Sequence, residues 1–266
     1  EAVYLAGTSK SHKGSKDREM IRFENEESHI RMMVKKGGLS YKVDMHLRKN
    51  KAKGVAINGL PIRKARELLG VVNLVFFSPE DLNIIKEGPA GRRRFIDLEL
   101  SQLDKIYLNN LSNYNRIINQ RNSLLKDIYG SNQQHLLETL DIWDMQLAAY
   151  GTKVLERRKE FVRQVNEIIS EIHFRLTGGK ERLTLTYESS IGEMSMEQAL
   201  KKNRERDLRM KSTSVGPHRD DLCFLSGDLD IRKFGSQGQQ GTAALSLKLA
   251  EIELVKRIIG DTPILL

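Results

Sequence analysis

The stretch Phe234-Gly235-Ser236-Gln237-Gly238-Gln239-Gln240 decides the fold, and it opens a long apolar segment that runs to Ile259. Ser236 stands where a helix N-cap is expected, and Gln239 follows at the spacing of a capping box. The segment is apolar on most of its helical circumference, which predicts a buried helix. The apolar residues are Ala244, Leu245, Leu247, Leu249, Ala250, Ile252, Leu254, Val255 and Ile258. Free amides and the helix dipole make such an N-terminus suitable for an anion, although a well-capped helix start alone explains the spacing.

The bulk composition fits one large domain or two small ones with a substantial core. The chain has 266 residues, 39% of them hydrophobic, and a formal net charge of +9, which suits a polyanion or an acidic membrane surface. The lone cysteine, Cys223, lies in an apolar run and is expected to be a small buried hydrophobe. No apolar run approaches the roughly 20 residues that span a bilayer. We therefore expect a cytoplasmic protein with no membrane segment.

The first third of the chain reads as an antiparallel sheet followed by a buried strand. Apolar and polar residues alternate from Ile21 and Phe23, through residues 30–34, to residues 41–47. His46 falls on the polar face and is expected to be solvated. The turn signals are Gly37-Gly38 and Asn58-Gly59. The near-continuous apolar run 71–77 predicts a strand that is buried on both faces.

Two helical stripes, over residues 103–128 and 136–176, predict an antiparallel helical hairpin. Gly151 is a candidate break in the second helix. Trp143 is expected in the core, and the run Arg157-Arg158-Lys159 is expected to be a solvated face. The chain then returns to a sheet at residues 183–187, passes through a charged, exposed helix at residues 197–210, and forms another strand at residues 222–225.

Four motifs, in this order, carry a resemblance to a known family over essentially the whole chain. They are Ser11-His12-Lys13; Phe77-Ser78-Pro79-Glu80-Asp81-Leu82 with the later Arg92-Arg93-Arg94-Phe95; Gly216-Pro217-His218-Arg219-Asp220-Asp221; and Ser236-Gln237-Gly238-Gln239-Gln240. Together they resemble the RecF family of ABC-type ATPase heads, in which the last motif is the signature motif.

The resemblance implies a role for each motif. Ser236 and Gly238 would contact the γ-phosphate of ATP that is bound to the other subunit, and Gln237, Gln239 and Gln240 would complete the nucleotide-binding signature motif. The loop Ser11, His12 and Lys13 would lie near the nucleotide. Two family arginines are replaced, one by Lys13 and one by Gly241, which weakens phosphate contacts.

DNA contacts are assigned to Arg92, Arg93, Arg94 and Arg219, with an ion-paired or solvated face as the open alternative for the arginine run. No metal-binding residues are assigned. A single histidine, His218, beside two aspartates is a weak metal signal, because metal sites need more ligands at set spacings. The motif around His218 is expected to be loop architecture beside the signature helix.

The implied fold is α/β, an ABC-type ATPase head built from an antiparallel β meander and a core sheet with helices, with an inserted α-helical lobe. We expect an N-terminal part of the ATPase lobe in residues 1–88, the helical lobe in 89–180, and a return to the ATPase lobe, with the signature helix, in 181–266. The phosphate-binding Walker A loop and the Walker B acids, which hold ATP and Mg²⁺, are expected outside this stretch. These 266 residues alone are therefore expected neither to bind ATP tightly nor to hydrolyse it.

The implied function is that of an ATP-dependent, DNA-binding recombination mediator in DNA repair, replication and the SOS response. It would form a homodimer around ATP on double-stranded DNA or at a single-strand–double-strand junction, and would help to load RecA at gaps with RecO and RecR. A non-catalytic, basic DNA-binding or assembly module is the alternative. Another SMC-like head is disfavoured, because such heads carry long heptad arms and the helical stretches here are far shorter.

Overall fold

The computed structural model describes residues 1–129 and 134–266. The helices are α1 (Ala2–Thr8), α2 (Leu82–Lys86), α3 (Pro89–Leu103), α4 (Lys105–Tyr129), α5 (Gln134–Leu176), α6 (Met196–Met210), α7 (Ile231–Phe234) and α8 (Gln237–Ile259). The strands are β1 (Glu27–Lys36), β2 (Leu39–Arg48), β3 (Lys51–Ile57), β4 (Leu60–Pro61), β5 (Leu74–Val75), β6 (Leu183–Glu188), β7 (Asp221–Ser226), β8 (Leu229–Asp230) and β9 (Ile264–Leu265). Two compact units result: residues 1–79, 101–104 and 251–266 form the first unit, and residues 80–100 and 105–250 form the second.

The first unit contains an antiparallel sheet in the order β1-β2-β3-β4. The predicted turns are confirmed: Gly37 and Gly38 connect β1 to β2 with φ of 54° and 78°, and Asn58 and Gly59 connect β3 to β4 with φ of 52° and 83°. Positive φ at both central residues matches the right-handed twist of a hairpin, which is why glycine and asparagine stand there. The inner face of β2 is buried through Val43, Met45 and Leu47, and it belongs to one apolar core with α1.

Two strand predictions in the first unit are wrong in extent. The meander begins at Glu27, not at Ile21. Ile21 is in the core, but Phe23 is 94% exposed, because the chain makes a turn at residues 22–25 instead of a strand. The run 71–77 is buried as predicted from Val71 to Val75, but only β5 pairs as a strand, parallel to β9.

In the second unit, α4 and α5 pack together as the predicted helical hairpin, with α6 against both. The expected break at Gly151 is wrong, since α5 continues through it. A Cβ atom at this position would lie 2.8 Å from the Met196 Cε atom and 3.2 Å from the Tyr114 ring, so glycine permits close packing there. Trp143 packs on a small apolar cluster around Leu140.

The second unit also holds an antiparallel sheet in the order β6-β7-β8, packed against α5. Cys223 on β7 is buried as expected, and this burial raises the pKa of its thiol to about 11. The prediction that α8 is buried nearly all round is wrong for Leu245 and Ile258, which are 43% and 39% exposed. One stripe of α8, which begins at Gly238 and Gly241, faces solvent. Among the described helices, none combines the length and the apolar character that crossing a bilayer requires.

Candidate functional site

The first turn of α8 is an exposed, capped helix terminus. The Ser236 Oγ atom accepts a hydrogen bond from the Gln239 backbone N–H at 3.2 Å, and the Ser236 N–H donates to Gln239 Oε1 at 2.9 Å. The predicted capping box is therefore confirmed. Ser236, Gln237 and Gly238 are all exposed to solvent. The Ser236 hydroxyl accepts one hydrogen bond within the chain and can still donate its own proton to a ligand.

Gly235 and Gly238 suit their positions for different physical reasons. At Gly235, a Cβ atom would lie 2.7 Å from the Ile231 carbonyl oxygen, so only glycine fits the tight approach to α8. At Gly238, a Cβ atom would meet only the Ser236 Oγ atom, at 3.9 Å, so the surface there is open. The N–H groups of Gln237 and Gly238 occupy the first turn, where a helix supplies no acceptor. Together with the dipole, these donors fit an anionic phosphate group.

The side chains of Gln239 and Gln240 contact other parts of the protein. Gln239 Nε2 donates to the Glu181 carboxylate at 3.0 Å, and Gln240 Nε2 donates to the Ile231 carbonyl oxygen at 3.2 Å. Both side chains are half-buried. They therefore hold the entry to α8 in one conformation, while Ser236 and Gly238 present the groups that can reach a ligand. Sequence analysis missed Glu181, which no motif marks.

The loop that contains Gly216-Pro217-His218-Arg219 is fixed by buried polar contacts. His218 Nε2 lies 3.0 Å from the Thr213 carbonyl oxygen, which can only accept, so Nε2 carries the proton. The Tyr114 hydroxyl then donates to Nδ1 at 2.7 Å. Burial lowers the pKa of His218 to about 4, so the ring is neutral near pH 7. This arrangement uses both ring nitrogens for the architecture of the loop.

Arg158 anchors the same loop from α5. Its side chain is only 2% exposed and binds the Asp97 carboxylate at 2.6 Å and the Pro217 carbonyl oxygen at 2.7 Å. The expectation that residues 157–159 form a solvated face is therefore wrong for Arg158. The signal was present in the sequence, because Arg158 lies four residues after Val154 and three before Phe161, on the apolar stripe of α5.

The Arg92 side chain is buried, and its guanidinium binds other groups of the same chain. Its guanidinium forms a two-pronged ion pair with Asp221, at 2.6 and 3.0 Å, and donates to the carbonyl oxygens of Ile84 and Glu87. Arg232, which sequence analysis missed, also donates to the Asp221 Oδ2 atom, at 3.0 Å, so the two arginines share this oxygen. A DNA contact from Arg92 would require these bonds to open.

The other three candidate arginines differ in their exposure. Arg93 is half-buried and donates to the Asp220 carbonyl oxygen at 2.8 Å. Arg219 is exposed, although its guanidinium donates to the Thr213 carbonyl oxygen at 3.1 Å. Arg94 is exposed on α3. Arg94 and Arg219 are therefore the members of the set that a polyanion can reach without a rearrangement.

The loop Ser11-His12-Lys13 belongs to the first unit. Ser11 is buried, His12 is half-buried and Lys13 is exposed. The His12 ring contacts the Glu1 carboxylate and lies 4.6 Å from the Phe76 ring, centroid to centroid. Lys13 is the member of this loop that is available to a ligand.

Comparison with known proteins gives the family. No family model matches the chain. Over 266 residues the chain is 59% identical to the DNA replication and repair protein RecF of Lachnospira eligens, and it covers 73% of that protein. It is 62% identical to the RecF protein of Agathobacter rectalis, with the same 73% coverage. The chain belongs to the RecF family.

Solved structures of family members agree with this assignment. The recombination mediator protein RecF with ATP, of the RecFOR pathway, superposes on the whole chain with a TM-score of 0.93 and 34% identity, and the chain covers 73% of it. A second RecF structure of that pathway gives a TM-score of 0.92 at the same identity and coverage. The expected α/β fold of an ABC-type ATPase head is therefore confirmed, and the RecF family binds ATP.

Proposed function

We propose that this RecF-family chain acts in DNA repair and replication as an ATP-dependent, DNA-binding recombination mediator. In this proposal two copies dimerise on DNA around ATP and help to load RecA at single-strand gaps, together with RecO and RecR. The observation that carries the proposal is the exposed first turn of α8, where Ser236 and Gly238 present a hydroxyl and free amides. The protein is proposed to act in the cytoplasm.

Each α8 terminus would contact the γ-phosphate of ATP that is held by the partner subunit. The groups available for this role are the Ser236 O–H and the Gly238 N–H, while Gln239 and Gln240 keep the turn rigid. Bound ATP supplies the triphosphate that bridges the two subunits. Mg²⁺ and the other triphosphate ligands are expected in segments outside residues 1–266, and Lys13 would add a cation near the nucleotide.

DNA would be bound by exposed cations, with Arg94 and Arg219 as the accessible members of the predicted set. Each phosphate contact releases counterions, so DNA affinity should fall as salt rises. Arg92 and Arg93 would support this surface through their bonds to Asp221 and Asp220. The helical lobe, proposed for residues 89–180, contributes Arg94.

The test of the nucleotide contact is sedimentation velocity of the full-length protein with ATP and duplex DNA. Ser236→Arg should abolish ATP-dependent dimerisation, because it fills the anion site at the α8 terminus. The matched control is Ser195→Arg, since Ser195 is exposed and caps α6 with the same pair of bonds to Gln198, at 3.0 and 3.1 Å.

The Ser195→Arg control tests whether the loss of a helix cap alone can explain a loss of dimerisation. Losing either cap should lower stability by about 1 kcal/mol, so both variants should melt at similar temperatures. Dimerisation by the Ser195 variant together with loss in the Ser236 variant supports the proposal. Equal dimerisation of both variants contradicts it, and DNA binding that ignores ATP throughout favours the alternative of a basic DNA-binding or assembly module.

The DNA surface is tested by the salt dependence of binding. Arg94→Gln should reduce the slope of log K against log salt by about one, the value expected for the loss of one phosphate contact. Arg175→Gln is the matched control, because Arg175 is an exposed arginine of the same unit that pairs with Glu171. An unchanged slope for Arg94→Gln would exclude a phosphate contact from this residue.

A further inference from the structure

The outer face of the β meander carries a cluster of metal-ligating side chains that none of the four motifs includes. Glu27 and His29 lie on β1, and His46 lies on β2. Successive side chains of a strand alternate between faces, so Glu27 and His29 share the solvent face of β1. His29 lies directly opposite His46 in the strand register. The topology therefore brings three ligand side chains, one carboxylate and two imidazoles, to one patch from two strands.

The distances within this cluster suit a small cation. The His46 Nε2 atom lies 2.8 Å from one Glu27 carboxylate oxygen, and the His29 Nε2 atom lies 4.0 Å from the other. One ligand atom from each residue lies within 4.8 Å of the other two. Ligands that bind tetrahedral Zn²⁺ at about 2.0–2.1 Å are separated by roughly 3.3 Å, so small side-chain rotations bring all three to one ion.

The surroundings leave room for a fourth ligand. The two imidazole rings stack with centroids 3.9 Å apart, and they line a cleft of about 610 Å³. On the other side of His46, the β3 partner is Gly54, which adds no side chain to the cleft. Arg48, which lies opposite Glu27, adds an unfavourable positive charge. Arg31 is engaged by Asp44 at 2.5 Å and is thereby largely neutralised.

We propose that Glu27, His29 and His46 form a binding site for a divalent transition metal of the Zn²⁺ class, with water as the remaining ligand. Ions of this class bind two imidazoles and one carboxylate readily, whereas Mg²⁺ and Ca²⁺ prefer sites made of oxygen ligands. The bound ion joins β1 to β2 at the start of the meander. This site is independent of the nucleotide contact proposed for α8.

The test is isothermal titration of the tag-free, chelator-treated protein with ZnCl₂. The wild-type protein should bind one equivalent in a saturable way. His29→Asn, His46→Asn and Glu27→Gln should each weaken binding by about tenfold or more, the scale seen when even an outer partner of a metal ligand is lost. Glu26→Gln is the matched control, since Glu26 is the exposed neighbour that pairs with Lys49 at 3.0 Å.

Two further measurements separate this site from adventitious binding. Co²⁺ should give a visible absorption band in the wild-type protein that is lost in the His29→Asn/His46→Asn double variant, and Zn²⁺ should raise the melting temperature of the wild type but not of the double variant. Arg48→Gln should tighten binding, because it removes the opposing charge. All ligand side chains are at least 31% exposed, so the variants are expected to fold. Absence of saturable binding, or equal binding by the double variant, would overturn the proposal.

Discussion

The neutral, buried ring of His218 makes the second unit sensitive to acid. Burial lowers its pKa to about 4. The hydrogen bond to the Thr213 backbone opposes this shift, and the positive charge of Arg219 adds to it, both by smaller amounts. In the unfolded chain a histidine has a pKa of about 6.5. The unfolded state therefore binds a proton first as the pH falls. The stabilising contribution of His218 is complete above about pH 6.5 and is lost as the pH falls towards 4.

The size of the effect follows from these two values. Proton linkage between a pKa of about 4 in the folded state and 6.5 in the unfolded state removes about 2 kcal/mol between pH 7 and pH 5. His218→Asn should not show this loss, because its amide keeps an acceptor for the Tyr114 hydroxyl and does not titrate. The variant will be less stable at pH 7, but its stability should fall less steeply with acid.

Urea unfolding between pH 5 and pH 7 measures this difference. The chain has a single tryptophan, Trp143, and it lies in the same unit as His218, so its fluorescence follows the relevant transition. His29→Asn, on the first unit, controls for the loss of a histidine elsewhere. Parallel stability curves for the wild type and His218→Asn would refute the reasoning, since they would mean that the ring titrates alike in both states.

Two further perturbations test the packing of the second unit. Arg121 is fully buried and pairs with Asp144 at 2.6 Å and Asp207 at 2.8 Å, so Arg121→Met should lower the free energy of unfolding by about 3–5 kcal/mol. Adding Asp207→Asn to that variant should recover part of the loss in a double-mutant cycle, and purely additive losses would contradict the pairing. Gly235→Ala should lower the free energy of unfolding by about 1–3 kcal/mol through the clash with the Ile231 carbonyl oxygen, and an unchanged melting temperature would count against this contact.

Local patterns predicted the elements that depend on neighbours in sequence. The capping box of Ser236 and Gln239, the Asn58-Gly59 turn and the helical hairpin all form as expected. The capping box and the turn arise within a few residues of chain, so spacing and turn chemistry suffice to predict them. The hairpin was predicted from the apolar stripes at spacings of three and four that its two helices carry. The break expected at Gly151 does not occur, because the glycine lies inside α5 and leaves room for the side chain of Met196, which is distant in sequence.

Charged residues were the least predictable. Arg92 and Arg158 are buried, although runs of arginine usually face solvent, because carboxylates and carbonyl groups from distant segments neutralise them. At α8, too, the sequence predicted the local features, whereas only the tertiary structure shows the contact between distant segments. The motif located Ser236 and Gly238, but only the tertiary structure brought Glu181 against Gln239, 58 residues away.

The sequence by itself determined most of the helix, strand and turn pattern, the capped terminus of α8 and the family resemblance. The tertiary structure alone decided which charges are buried, which arginines a polyanion can reach, and which histidines converge on Glu27. The physical reason is that local conformation depends on near neighbours, whereas the burial and pairing of a charge depend on segments that meet only when the chain has folded.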